Sequence, residues 1–136
     1  MNLEVYNAGT DHYRDVSTTY PLPASAPPRA VSTGDVHAPA ANTAAVVTYT
    51  AAGAGVSHAL SGIAWSYSAD PTGGNLKVED GAGNVVFSLD ITKGGPGFIP
   101  FPQPKKGSAN TALVLTLAAG GSGISGKLSV LGHWTE

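Results

Sequence analysis

The C-terminal part of this chain carries almost no charge, although its pattern is typical of two strong strands. From residue 107 to residue 135 the only formally charged side chain is Lys127. Segments 110–119 and 126–134 are rich in Leu, Val, Ala, Ser, Thr and Gly. A soluble monomer normally places Lys and Glu along the solvent face of its strands, because uncharged exposed strands invite pairing with other chains. The pattern therefore predicts that these strands are covered, either by copies of the same protein or by a larger assembly.

Composition narrows the classes of partner. The chain has 136 residues, enough for one domain with its own core. Charged residues make up 12% of it, against about 25% in typical globular proteins. With seven Lys and Arg and a net charge of −2, the chain is a poor candidate for neutralising nucleic-acid phosphates. No apolar run approaches the length of a membrane span. Neither nucleic acid nor a membrane is an expected partner.

Turn residues and short alternating segments predict an all-β fold. The 18 glycines and 10 prolines separate short apolar runs. Pro100 confines its segment to a sheet edge, because proline cannot donate to a ladder. The predicted strands are 43–50, 58–67, 75–79, 84–91, 98–101, 110–119 and 126–134. This number of strands, with turns between them, predicts a jelly-roll-like fold or a two-sheet β-sandwich.

Alternation within the strands predicts the core. Segments 75–79 and 84–91 flank a turn at 80–83 and form a hairpin, with Lys77 and Glu79 facing outward. Residues 102–107, which hold Lys105 and Lys106, are predicted to be a loop. The predicted core consists of Val47, Ile63, Trp65, Leu76, Val78, Val85, Phe87, Leu89, Leu113, Leu115, Leu117, Leu128 and Val130.

Residues 1–40 differ from the rest and are predicted to be an extended Pro-rich N-terminal arm, followed by a β-domain at 41–136. The arm segment contains half of the prolines but only two of the glycines. Proline favours extended backbone without a ladder. A disordered leader is the alternative, but such leaders are poor in aromatic residues. Tyr6, Tyr13 and Tyr20 are therefore the expected anchors of the arm on a partner.

No motif in the chain predicts catalysis or a bound cofactor. Residues 121–126 match the G-x-G-x-x-G pattern, but a strand follows where the dinucleotide motif requires a helix. We interpret this segment as a hairpin turn. Glu79 and Asp90 lie on neighbouring strands, and a solvated pair is preferred over the two carboxylates of a glycosidase. Cysteine is absent, which removes disulfides and Cys-ligated metals.

The four histidines lack the close spacing of a metal site. His12 and His37 are expected to be solvated arm residues. His58 and His133 are expected near strand ends or at a subunit contact, and a cluster around an oligomer axis is the alternative.

Aromatic residues and the charge-poor strands predict where the chain associates. Trp65 and Tyr67 alternate with small residues, which favours a place in the core over a sugar-binding platform. Trp134 lies close to the C-terminus, where a large aromatic needs a docking partner. Self-association is expected to be closed and symmetric, with a homotrimer as the predicted state. The interface candidates are Val114, Leu131, His133 and Trp134.

The Pro-rich arm, the hairpin 75–91, segment 94–101 and the ending 126–134 together resemble the small β-structured virion proteins of tailed bacteriophages, especially capsid decoration (cement) proteins. That resemblance implies a sandwich or jelly roll, usually trimeric, on the outer capsid surface, where it bridges major capsid proteins and stabilises the lattice. It implies no catalytic residue, cofactor or metal. The alternative is a receptor- or glycan-binding module of a phage tail fibre or spike. A non-viral binding module or a sugar-active enzyme ranks third.

Overall fold

The computed structural model describes residues 35–136, which form nine strands in two antiparallel sheets. Tyr6, Tyr13 and Tyr20 lie outside the described residues, as does His12. Within the described range no helix is long and apolar enough to cross a membrane. The strands are β1 (Val36–His37), β2 (Ala45–Tyr49), β3 (His58–Tyr67), β4 (Gly74–Asp80), β5 (Val85–Ile91), β6 (Gly95–Lys106), β7 (Leu113–Leu117), β8 (Gly126–Val130) and β9 (His133–Thr135).

The strand order is that of a jelly roll. The five-stranded sheet has the order β1-β8-β3-β6, with β9 also paired to β3, and the four-stranded sheet has the order β2-β7-β4-β5. The pairs β1·β8, β2·β7, β3·β6 and β4·β5 are those of one long hairpin. Rolling that hairpin brings β8 against β3 and β7 against β4. The predicted all-β sandwich is therefore confirmed.

The core lies between the two sheets and follows the period-2 alternation of the strands. In β7, Leu113, Leu115 and Leu117 are buried, while Val114 and Thr116 face the outside. In β4 the buried positions alternate in the same way. Every predicted core residue except Val85 is buried or packs against the buried cluster.

Val85 was predicted to be a core residue, and that prediction is wrong. The β4·β5 ladder pairs Val78 with Phe87 and then Glu79 with Val85, so it skips Val86. This bulge shifts the alternation by one residue. Val85 therefore lies opposite the outward-facing Glu79 and is 47% exposed.

Strand β6 is longer than the predicted strand 98–101 and includes most of the predicted loop 102–107. It pairs with β3 in two parts, at Gly95–Pro100 and at Lys105–Lys106. Residues 101–104 between these parts lie opposite the single residue Ser61. Such a bulge accommodates prolines, because its residues need not donate to the ladder. Among the described strands β6 pairs only with β3, so the predicted edge position of Pro100 is confirmed.

The glycine-rich segment between β7 and β8 is not a hairpin turn, which corrects the interpretation of residues 121–126. Strand β7 belongs to the four-stranded sheet and β8 to the five-stranded sheet, so the segment crosses between sheets. Gly121 and Gly123 have φ values of 107° and 74°, which glycine adopts without strain. The predicted last strand, 126–134, is divided into β8 and β9. Strand β1 lies inside the segment predicted to be an arm, so residues 35–37 belong to the edge of the sandwich.

Candidate functional site

The outer face of the five-stranded sheet has a floor of very small residues. Gly62, Ala64 and Ser66 follow one another along this face of β3, and Ser129 of β8 lies opposite Ala64. The same cross-strand row continues to Phe98 on one side of Ala64 and to Val36 on the other side of Ser129. Since the central side chains are small and the outer ones large, the face forms a groove.

Exposed apolar side chains border this groove, which has a volume of about 520 Å³. Phe98 is 56% exposed, and Val36 and Leu131 are also largely exposed. A Cβ atom added to Gly62 would lie 3.3 Å from Cε1 of Phe98. The phenyl ring therefore extends over the glycine. We call this surface, with its floor and its border, the groove face.

The groove face is almost uncharged. Its described lining residues are Val36, Ala64, Trp65, Ser66, Pro96, Gly97, Phe98, Lys127 and Ser129. Lys127 alone among them carries a charge, and none bears a carboxylate or an imidazole. Apolar side chains and two small hydroxyls make up the rest, so the lining is suited to contact with an apolar surface.

Trp65 and Tyr67 lie where the core interpretation predicts them. Tyr67 is buried, and its hydroxyl donates to the Ala118 carbonyl oxygen at 2.6 Å. Burial raises the pKa of that hydroxyl. Trp65 packs against the core and also lines the groove. Its indole lies over Gly97, where a Cβ atom would overlap the ring.

A buried histidine pair lies where β3 and β9 meet. His58 and His133 are only 4% and 8% exposed. Nδ1 of His58 lies 2.9 Å from Nε2 of His133, and Nε2 of His58 lies 2.7 Å from the Thr50 carbonyl oxygen. The Tyr49 ring stacks on His133, with the ring centroids 3.5 Å apart and the planes at 4°. Both histidines begin a strand, as expected.

The electrostatic surroundings favour a neutral His133. Burial lowers the pKa of its imidazole, and the neighbouring His58 lowers it further. The carboxylate of Asp35 acts in the opposite direction and raises that pKa. Asp35 also accepts a hydrogen bond from the Tyr49 hydroxyl at 2.5 Å. The sequence did not reveal this cluster, because 75 positions separate the two histidines.

The interface candidates do not form one surface. Val114 lies on the outer side of the four-stranded sheet and Leu131 lies beside the groove floor, next to Gly62. His133 and Trp134 are buried within the chain. Of the four candidates, only Leu131 is an exposed part of the groove face.

Other sequence candidates take structural roles. His37 is exposed, as expected, but it belongs to strand β1 of the sandwich rather than to an arm, and its Nδ1 accepts a hydrogen bond from the Val46 amide at 2.8 Å. Asp90 accepts from Asn75 Nδ2 at 3.0 Å, whereas Glu79 pairs with Lys77. The two carboxylates thus lie at different positions along the hairpin. Among residues 35–136 no group of three His, Cys, Asp or Glu side chains could hold a metal ion.

Comparison with protein-family models, with curated proteins and with solved structures found no match to this chain.

Proposed function

We propose that this protein is a structural virion component that binds the outer surface of a bacteriophage capsid, bridges major capsid proteins and stabilises the lattice. The groove face is the observation that carries the proposal. It is exposed, apolar and free of carboxylates, and it lies on a rigid sheet rather than on a loop. A protein of this kind binds without turnover.

The residues of the groove face match the composition of protein–protein contacts. The centres of such interfaces are depleted in charge and enriched in aromatic residues. Phe98 supplies an exposed aromatic ring beside a floor on which a partner's side chain can lie. Lys127 supplies one cation at the border of the groove. An apolar protein segment fits this arrangement better than a strongly charged one.

The second candidate is a glycan- or receptor-binding module of a tail fibre or spike. Jelly rolls occur both in viral capsids and in lectins, so the fold does not distinguish these uses. Phe98, Ser66 and Ser129 line one groove, and an aromatic ring with nearby hydroxyls is compatible with sugar binding. Sugar sites, however, need several convergent polar groups. The groove offers two hydroxyls and one amine, which favours a protein partner.

We also propose that the chain forms a closed homotrimer, because self-association is usually symmetric and several weak faces held together bind more tightly than one. Sedimentation equilibrium on the full chain at tens of micromolar tests this. A monomer at that concentration refutes the trimer in solution. It does not refute binding to the capsid, which the experiments below test.

The decisive measurement for the function is the copy number in purified particles. Roughly hundreds of copies are expected for closed oligomers on an icosahedral lattice. A handful of copies would support the tail-fibre alternative, and absence from every particle would refute both proposals.

A variant pair tests whether the groove face makes the contact. Phe98→Ser removes the exposed ring, and we expect capsid affinity to fall by roughly thirtyfold, as for an interface residue worth about 2 kcal/mol. Val85→Ser is the matched control, because Val85 is also exposed but lies in the four-stranded sheet. Equal affinity of the two variants for particles stripped of the native protein would contradict the assignment of the groove face.

A further inference from the structure

The Thr50 carbonyl limits how protons can be placed in the hydrogen bond between His58 and His133. Nε2 of His58 lies 2.7 Å from the Thr50 carbonyl oxygen, which only accepts, so this nitrogen carries a proton. Nδ1 of His58 faces His133 Nε2 at 2.9 Å. Two arrangements satisfy that contact. Either His133 donates to a neutral His58, or a cationic His58 donates to a neutral His133.

The contact therefore tolerates one added proton but not two. When both imidazoles are protonated, each of the two facing nitrogens carries a hydrogen and neither offers a lone pair. Two positive rings would then lie with their centroids 5.0 Å apart. Because both side chains are buried, solvent and salt screen this repulsion only weakly.

We propose that His58 and His133 form an acid-sensitive latch, which holds the C-terminal strand β9 on β3 near neutral pH and releases it when both rings are protonated. The latch acts at a different place from the groove lining, so it does not depend on what that face binds.

Strand β9 is short, so the loss of one side-chain contact should lower its stability measurably even though Trp134 is also buried. It has three residues, which pair with His58, Ala59 and Leu60 of β3. Ser57 and Glu136 exchange two further backbone hydrogen bonds, at 2.8 and 2.9 Å. His133 is the first residue of β9 and is held between the Tyr49 ring and His58. Loss of the latch would therefore loosen the strand at its point of entry.

The direction of the pH effect follows from the state of His133 in the fold. An unfolded imidazole has a pKa of about 6.5, whereas burial and then His58 lower the pKa of His133. The unfolded chain thus binds the proton more readily than the folded one. The stability of the latch is fully present above about pH 6.5 and is lost as the pH falls toward the lowered pKa of His133.

The charged and titratable groups around the pair do not cancel this effect. Asp35, next to β1, opposes it by raising the pKa of His133, and Asp35 is already bonded to Tyr49 of β2. The remaining charged groups on elements packed around the pair are Lys105 and Lys106 of β6, opposite Leu60 and Ala59, Asp80 of β4, near the segment after β6, and Glu136 after β9. The pKa of His133 is lowered although Asp35 acts against the lowering.

Hydrogen exchange of the full chain tests the latch. Amide exchange is followed by mass spectrometry from about pH 7.5 to about pH 5, the range in which histidine titrates, and is corrected for the intrinsic pH dependence of exchange. Between the unfolded pKa and the lowered pKa of His133, protection of residues 133–135 should fall by about tenfold for each pH unit, because release takes up one proton. Protection of β7 should stay unchanged. Constant protection of β9 across this range would overturn the proposal.

Three variants separate the latch from general acid sensitivity. His133→Gln keeps an amide donor for His58 but cannot gain a charge, so β9 should remain protected at about pH 5. His58→Gln tests the pair from the other strand if the first variant does not fold: burial alone still lowers the pKa of His133, so the loss of protection should be smaller than in the wild type. His37→Gln is the matched control, because His37 is an exposed histidine at the sandwich edge, and this variant should keep the wild-type transition. A transition of wild-type size in either folded latch variant would refute the pair as its origin.

Discussion

Replacement of Gly97 by alanine adds a methyl group where the Trp65 indole lies. Gly97 is directly opposite Trp65 in the β3·β6 ladder. A Cβ atom at this position would overlap the six-membered ring and would lie 2.9 Å from its Cη2 atom. Gly97 is not among the glycines with positive φ, so its backbone suits alanine. The penalty is therefore steric, and either the indole or strand β6 must move.

The size of the penalty depends on which neighbouring groups can move to relieve the overlap. Overpacking of a well-packed site costs about 1–3 kcal/mol. Strand β6 pairs only with β3 among the described strands, so it can shift outward more easily than a central strand. Trp65 is bounded on its other side by the buried core. We therefore expect Gly97→Ala to lower the free energy of unfolding by about 2 kcal/mol and Tm by roughly 7–9 °C.

Urea unfolding followed by circular dichroism measures this loss, and a double-mutant cycle identifies its cause. In a Trp65→Leu background the clashing ring atoms are absent, so the added methyl should cost little. We expect a loss below about 0.5 kcal/mol, which is the usual error of additivity between independent sites. An equal cost of Gly97→Ala in both backgrounds would refute the argument that the indole occupies the space over Gly97.

Two further substitutions test the core and a buried carboxylate. Leu115→Ala should lower the free energy of unfolding by about 2–5 kcal/mol, because Leu115 is fully buried, whereas Val114→Ala on the outer side of the same strand should cost less than half as much in the same urea experiment. Asp80→Ala should cost about 1–3 kcal/mol, because the backbone amide and the hydroxyl of Ser108 both donate to this carboxylate. Thermal unfolding measures the second loss, and an unchanged Tm would contradict it.

The parts of the fold that the sequence predicted are those encoded by local alternation. Strand β3 has the bounds predicted from its pattern, 58–67, because its residues alternate without interruption over the segment that pairs with β8. The three leucines of β7 follow the same period and are buried. Each inference needed only neighbouring residues and the geometry of an extended chain.

The errors arose where the structure departs from that period or where distant residues meet. The bulge beside Val86 reverses the facing of Val85, and no residue in that stretch marks it in the sequence. The prolines at 102 and 104 led to the prediction of a loop where β6 continues. They fit the strand because residues 101–104 form a bulge and need not donate hydrogen bonds to the ladder. The groove face requires knowledge that Phe98, Ala64 and Ser129 share one cross-strand row. Sequence spacing does not contain that information.

The size of the groove face bears on how the proposed function could work. A stable interface buries about 800 Å² on each partner, but the described groove is lined by a few small residues and one exposed aromatic ring. A single subunit should therefore bind its partner weakly. Copies held in one closed oligomer would present several such faces together, so that each contact after the first forms at a high effective concentration. The proposed trimer would thus strengthen the proposed capsid contact. If a variant that is monomeric but folded bound particles as tightly as the wild type, this coupling would be wrong, and the groove face would have to be stronger than its composition indicates.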